Sequence, residues 1–256
     1  MRIDWTALPE SVTAEIAERV GGTRVTPATG GDHAEIASSV AGANGTVFVK
    51  AACSELGVRS LRYELLVTTA VDRPYSPAVE WHFETDGWVV VGFEHLDGPH
   101  ADLSPGSRDL DLLAEILDDL GKTPASGPAW FSPAARLGFS HPAMDGETLV
   151  HSDLNPTNLI VTPSGLRIVD WAYATRAAPW LELALLAQWL IGGGHSPEQA
   201  DRWLSRFPAW SAIGPATLDE FASRNASKWA AKAGQSTEKW VRDLADWTGA
   251  WAKYRV

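Results

Sequence analysis

An α+β protein of two lobes is predicted. A small N-terminal lobe holds a five-stranded antiparallel sheet plus a helix, and a larger, mainly helical lobe follows it. Three observations lead there. Up to about residue 95, short alternating apolar–polar runs are punctuated by Asn44-Gly45 and Asp86-Gly87, pairs that accept the positive φ of tight hairpin turns. Beyond residue 96 the apolar spacing lengthens to three and four, the period of a helix. At 256 residues the chain can bury one sizeable core or two lobes that share a cleft.

The elements follow in order. Pro9 opens the first helix, Val12, Ile16 and Val20 give it one apolar face, and Gly21-Gly22 ends it. Three strands are expected at Thr23–Thr29, Glu35–Ala41 and Thr46–Ala51, an antiparallel meander whose first turn carries Gly30 and Gly31. A helix spans Glu55–Ala70, with Val58, Leu61, Leu65 and Thr69 on one side. Val79–Glu84 and Trp88–Glu94 complete the sheet, and Leu96-Asp97-Gly98-Pro99-His100 leaves it as a hinge. The lobes are therefore read as residues 1–95 and 96–256. In the second, Ser107 caps a helix that buries Leu110, Leu113, Leu117 and Leu120 and stops at Gly121. Leu181–Ile191 is a helix, Ser196-Pro197-Glu198-Gln199 is a capping box, and Thr217-Leu218-Asp219-Glu220 is another. Helices over about Leu218–Ala233 and Thr237–Tyr254 close the chain.

Composition excludes some functions. A net charge of −11 argues against a nucleic-acid partner, whose affinity rests on many Lys/Arg–phosphate contacts. The longest apolar segment, Trp180–Ile191, carries Glu182 and Gln188 and is too short to span a bilayer, so a buried helix is expected and no membrane partner. Cys53 alone forms no internal disulfide, and Met1-Arg2-Ile3-Asp4-Trp5 has no apolar leader, so a cytoplasmic protein is the expectation. Nothing in the chain separates monomer from homodimer. Nine of thirteen tryptophans fall from Trp171 onward; most are expected in the core, with a minority free to face a cationic ligand.

The chemistry concentrates in His151-Ser152-Asp153-Leu154-Asn155-Pro156-Thr157-Asn158, followed by Val169-Asp170-Trp171. Two carboxylates and a carboxamide in this order suit phosphoryl transfer, which asks a protein mainly for positioning and charge neutralisation. Asp153 is placed beside an acceptor hydroxyl as its base or orienter. Asn158 and Asp170 offer oxygens to Mg2+, a hard cation that takes oxygen ligands. His151 is read as a structural brace of the loop. Upstream, Val47-Phe48-Val49-Lys50 ends the third strand, with Lys50 on the Phe48 side and Val47 and Val49 on the other. Glu64, fourteen residues on, is placed to pair with Lys50 and hold it toward nucleotide phosphates. Gly30 and Gly31 are read as covering phosphate through backbone N–H groups, a plain strand-joining turn being the alternative. Glu94 and Leu96, in the hinge, are assigned backbone contacts with a purine.

These residues resemble the aminoglycoside phosphotransferase family, small-molecule kinases of the protein-kinase-like fold, from about Thr23 to Leu190. The family's His-x-Asp-x-x-x-x-Asn segment is met at His151, Asp153 and Asn158, and its Ile-Asp-Trp segment by Val169-Asp170-Trp171. Ser152 stands where protein kinases carry Arg, and no Ala-Pro-Glu segment follows Asp170. The family's Asp-Leu-Ala helix start, whose Asp braces the catalytic loop, is replaced by Glu182-Leu183-Ala184. The resemblance implies transfer of the γ-phosphate of ATP or GTP, with Mg2+, to a hydroxyl of a cationic, aminoglycoside-like small molecule, and implies antibiotic resistance as the setting. Other acceptors fit the same residues: choline-, homoserine-, sugar-, macrolide- or peptide-like. So does a nucleotide-binding pseudokinase. Asp219, Glu220, Asp243 and Asp246, with Trp229, Trp240, Trp247 and Trp251 nearby, form the hypothetical acceptor wall.

Overall fold

A computed structural model describes residues 2–28, 34–71, 73–127 and 130–256. The phosphate-loop assignment to Gly30 and Gly31 lies outside the described residues. The chain divides into two units, Met1–Pro99 with Thr162–Ala172, and His100–Val161 with Tyr173–Val256. The fold is α+β, as the sequence predicts.

The first unit is built on a five-stranded sheet. Its strands are β1 (Arg24–Pro27), β2 (Ile36–Gly42), β3 (Gly45–Ala52), β4 (Val79–Thr85) and β5 (Trp88–Glu94), in the spatial order β1-β2-β3-β5-β4. All neighbours are antiparallel, and β2 and β3 join through Ala43 and Asn44, with Gly42 opposite Gly45, which takes the positive φ (118°). Two helices cover the two faces. Helix α1 (Glu10–Val20) buries Val12, Ile16 and Val20 against Ile36, Val40, Val49 and Val90. Helix α2 (Glu55–Ala70), capped by the Ser54 hydroxyl on the Gly57 N–H, places Leu61 with Ala52, Val89, Val91 and Phe93. Strand alternation makes this sorting unavoidable: Val49 goes to the α1 side, and Phe48 and Lys50 go to the α2 side.

Helix α1 starts one residue later than predicted. Pro9 has extended geometry (ψ 148°) and serves as its cap, while Gly21 ends it in the left-handed region at φ 74°.

The second unit carries α3 (Asp109–Leu120), α4 (Pro133–Leu137), α5 (Trp180–Gly192), α6 (Pro197–Leu204), α7 (Pro208–Ala212), α8 (Pro215–Ala233) and α9 (Lys239–Arg255). Short strands β6 (Thr148–Val150) and β9 (Thr175–Ala177) pair antiparallel within it. The strands β7 (Leu159–Thr162) and β8 (Gly165–Ile168) follow the His151–Asn158 stretch, and their turn is closed by Thr162 Oγ1 donating to the Gly165 carbonyl. Helix α5 is apolar all round and buried at ten of its thirteen positions, Trp180–Gln188 and Leu190 among them, which makes it the central helix of this unit. No helix among the described residues is long and apolar enough to cross a membrane.

Several predicted helix starts shift, α9 among them, which begins at Lys239 and not at Thr237. Ser196 and Gln199 form their reciprocal capping box on α6 as expected. Thr217, in contrast, lies inside α8, which begins at Pro215 after Gly214. Proline at the first helical position loses no hydrogen bond there and arrives with its φ already helical, so it sets the start ahead of a capping hydroxyl. Helix α3 begins at Asp109, whose N–H donates to the Ser107 hydroxyl (3.2 Å).

Candidate active site

In the first unit, strand, helix and turn deliver three charges to one point. Lys50 Nζ donates to Glu64 Oε1 (2.7 Å) and Oε2 (2.9 Å) and to Asp170 Oδ1 (3.1 Å). Glu64 reaches this place because Gly57, Leu61, Glu64, Val67 and Thr68 form the buried stripe of α2. Burial alone would pull the Lys50 ammonium down, but the Asp170 and Glu64 carboxylates outweigh it and hold Lys50 above its ordinary range. Burial raises the Glu64 carboxyl to about 7, helped by Asp170 and opposed by Lys50.

Asp170 sits in the left-handed region at φ 64°. That conformation costs a non-glycine residue about 1–3 kcal/mol and persists only where its surroundings over-determine it. Trp171 supplies part of the restraint. Its indole is fully buried, donates to the Ile168 carbonyl (3.2 Å) and stacks on Tyr75, whose own carbonyl accepts from the Ile168 N–H (2.7 Å).

Just before it, Arg167 makes two contacts with Glu94 (2.6 and 3.2 Å) and one with the Ser76 carbonyl (3.0 Å). This pairing explains why Thr162–Ala172 groups with the N-terminal elements. Arg167 was missed from the sequence; a charged residue alternating with Leu166 and Ile168 was the only signal.

The sequence assigns Glu94 and Leu96 backbone contacts with a purine. The Glu94 N–H donates to the Ala78 carbonyl (2.8 Å), and its carboxylate accepts from Arg167 and from the Ala78 N–H (3.1 Å). Any purine contact from this segment therefore falls to carbonyl groups or to residues past the strand, where Leu96 is half-buried.

In the second unit, β6 ends at Val150 and the chain turns without a ladder to satisfy its N–H groups. Side chains do that work. Glu182, at the start of α5, accepts from the His151 N–H and from the Ser152 N–H (3.2 Å). The His151 ring, fully buried, accepts the Asp153 N–H at Nδ1 (3.3 Å), which leaves its proton on Nε2. Glutamate, longer than the aspartate of the resemblance, reaches the loop. Burial pushes Glu182 up to about 8, helped by nearby Asp153 and opposed by the two backbone donors.

Asn155 Oδ1 accepts from the Thr157 N–H (2.9 Å) and caps a single 3-10 turn that carries Asn158 inward. Asn158 Nδ2 then donates to the Asp153 carbonyl (2.9 Å) and lies 3.3 Å from Asp153 Oδ2. With the amide nitrogen turned to Asp153, the amide oxygen is the atom offered to a cation. An amide oxygen here and the Asp170 carboxylate are hard donors that fit Mg2+. Among the described residues no group of three or more His, Cys, Asp or Glu assembles; an ion held by one or two carboxylates and by phosphates needs none.

Thr175 is the second residue missed. It is fully buried on β9, opposite Val150, and accepts the Ser152 hydroxyl (2.9 Å). No pattern in the sequence marks it.

The hypothetical acceptor wall is largely occupied by its own contacts. Asp219 holds Arg255 (2.8 Å), Asp243 holds Lys239 (2.6 Å), and Glu220 holds Arg224 (2.7 Å). Trp251 is buried and donates to Asp201 (2.9 Å), Trp247 packs on Trp189, and Trp229 packs on Trp240 beneath Lys232.

Comparison with known proteins adds the wider context. Residues 94–220 match the phosphotransferase enzyme family. Thiamine kinase from Salmonella typhi is 30% identical over 156 residues, 52% of this chain and 54% of that protein. The chain thus spans about half the length of the curated relatives it matches. The serine/threonine-protein kinase AfsK of Streptomyces coelicolor is 26% identical over 53% of this chain and 17% of its own length. Among solved structures, aminoglycoside phosphotransferase APH(4)-Ia in a ternary complex with ADP and hygromycin B superposes with a TM-score of 0.62 at 16% identity, covering 96% of this chain and 97% of that one. Choline kinase LicA from Streptococcus pneumoniae gives 0.61 at 16% identity, over 96% of this chain and all of the other. At such identities these two show a shared fold.

Proposed function

We infer that this chain, whose residues 94–220 match the phosphotransferase enzyme family, is a kinase that moves the γ-phosphoryl group of ATP or GTP to a hydroxyl of a small organic cation. The observation that carries the reading is the Lys50 ammonium gripped by Glu64 and Asp170, residues 14 and 120 positions away along the chain. A solvated edge lysine would need neither partner. A lysine held extended and charged suits the α- and β-phosphates of a nucleotide.

The residues divide the work as follows. Asp153 accepts the proton of the acceptor hydroxyl, whose oxygen forms the new bond to the γ-phosphorus. The bond from that phosphorus to the β-bridging oxygen breaks, and the nucleoside diphosphate leaves with the electron pair. Asn158 and Asp170 would hold Mg2+, which when bound neutralises phosphate charge. Glu182 and His151 keep the loop that presents Asp153 in place.

The names of the relatives support one class of acceptor. Thiamine, choline and hygromycin B share two properties, a hydroxyl group and positive charge, so a hydroxylated cation is proposed here. An aminoglycoside-like antibiotic is one member of that class, and the net charge of −11 favours it over anionic acceptors.

The test is a panel of hydroxylated cations, neutral sugars and peptides incubated with ATP or GTP and Mg2+, read by mass for one added phosphoryl group. Transfer to a cation is expected, and its loss in Asp153→Ala with nucleotide binding retained supports the role of that residue. Nucleotide binding without transfer to any acceptor would replace this reading with that of a pseudokinase.

A further inference from the structure

We propose that Thr175 is a positioning residue for Asp153, acting through the hydroxyl of Ser152. The proposal rests on the reading of Asp153 given above. Among the described residues three non-glycines have positive φ: Asp86, Ser152 and Asp170. Asp86 lies in an exposed two-residue hairpin turn, where such geometry is routine. Ser152, at φ 69°, immediately precedes the proposed base. Glycine would adopt this conformation without strain, but it would bring no hydroxyl.

That hydroxyl has a defined partner. Ser152 Oγ donates to Thr175 Oγ1 (2.9 Å), and Thr175 Oγ1 donates in turn to the Tyr173 carbonyl (2.9 Å). Thr175 is itself immobilised, fully buried and paired across β9 with Val150. Ser152 is consequently held twice, at its N–H by Glu182 and at its side chain by Thr175. With both fixed, the left-handed bend cannot relax, and the bend sets the direction in which Asp153 leaves the backbone. Packing alone would be satisfied by valine at position 175; the hydroxyl relay would not.

The experiment compares Thr175→Val, which keeps the branched shape and removes the hydroxyl, with Thr175→Ser, which restores it. With the acceptor the wild type modifies, Thr175→Val is expected to lower kcat about tenfold to a hundredfold, the scale of a small misplacement of a reacting group, with the nucleotide KM changing less than about threefold. Thr175→Ser is expected to recover most of that loss. Wild-type kcat in Thr175→Val, or equal impairment of both variants, would overturn the proposal.

Should Thr175→Val not fold, Ser152→Ala makes the same cut from the other side, and unchanged kcat there overturns it equally. Backbone amide exchange at Ser152 and Asp153 separates this proposal from the assigned function. If the wild type transfers phosphate to no acceptor, the function fails, yet exchange at these two amides is still expected to quicken about tenfold in Thr175→Val. Exchange identical to wild type would then refute the relay.

Discussion

The Lys50 cluster and the His151–Asp153 loop hold their chemistry by opposite means. In the cluster, opposite charges lock one another, and each is carried by a strand, a helix or a restrained turn. In the loop, no regular element is present, and consecutive backbone N–H groups are satisfied one by one by Glu182 and His151. The first arrangement is long-range electrostatics between side chains. The second is a short piece of backbone held by side-chain acceptors. The contrast teaches where each is fragile: the cluster fails when one charge is removed, the loop when one acceptor is.

The largest effect separates chemistry from scaffold in the loop itself. Asp153→Asn should lower phosphoryl transfer by about 10²–10⁴-fold, the usual worth of a general base, with nucleotide affinity intact by titration. In the cluster, Lys50→Met strands buried Glu64 beside Asp170, and unfolding in urea should show about 3–5 kcal/mol lost. Adding Glu64→Leu should return part of that, since a matched apolar pair is often neutral where a broken ion pair is not.

Glu182→Ala attacks the loop's acceptors. Two N–H groups lose their partner, and about 2–4 kcal/mol should disappear by the same measurement. Glu182→Gln, which keeps an acceptor oxygen, should lose less.

The titration of Glu182 sharpens the comparison further. Its folded value of about 8 lies above the ordinary 4.5, so between those limits the folded chain holds a proton that the unfolded chain has released. Stability from this group is therefore present at low pH and is lost as pH rises toward 8. Tm measured from pH 5 to 9 should fall more steeply for wild type than for Glu182→Gln.

The smallest effect is a control. Lys239→Ala removes an exposed ion pair with Asp243 and should shift stability by no more than about 0.5 kcal/mol, which denaturation by urea will check.

Much of this was legible in the residues. Asn44-Gly45 and Asp86-Gly87 announce hairpins because their backbone chemistry is local, and Trp88–Glu94 and Glu55–Ala70 emerge with the boundaries read from the sequence. The Lys50–Glu64 contact was also foreseen, since a strand's alternation and a helix's period fix which face each side chain takes. Thr217 carries a capping signal but does not start α8, because Pro215 opens the helix ahead of it. Arg167 and Thr175 left no trace. Their partners, Glu94 and Ser152, are 73 and 23 residues away, and neither spacing belongs to any periodic element.

From its sequence alone, this protein's lobed α+β outline was determined, because turn propensity and apolar period act over a few residues. Only the tertiary structure decided how the loop before Asp153 is held, that Glu182 is long enough to hold it, and that the acids of α8 and α9 largely pair with their own cations. Those are contacts between segments distant along the chain, and their geometry exists only once the elements have packed.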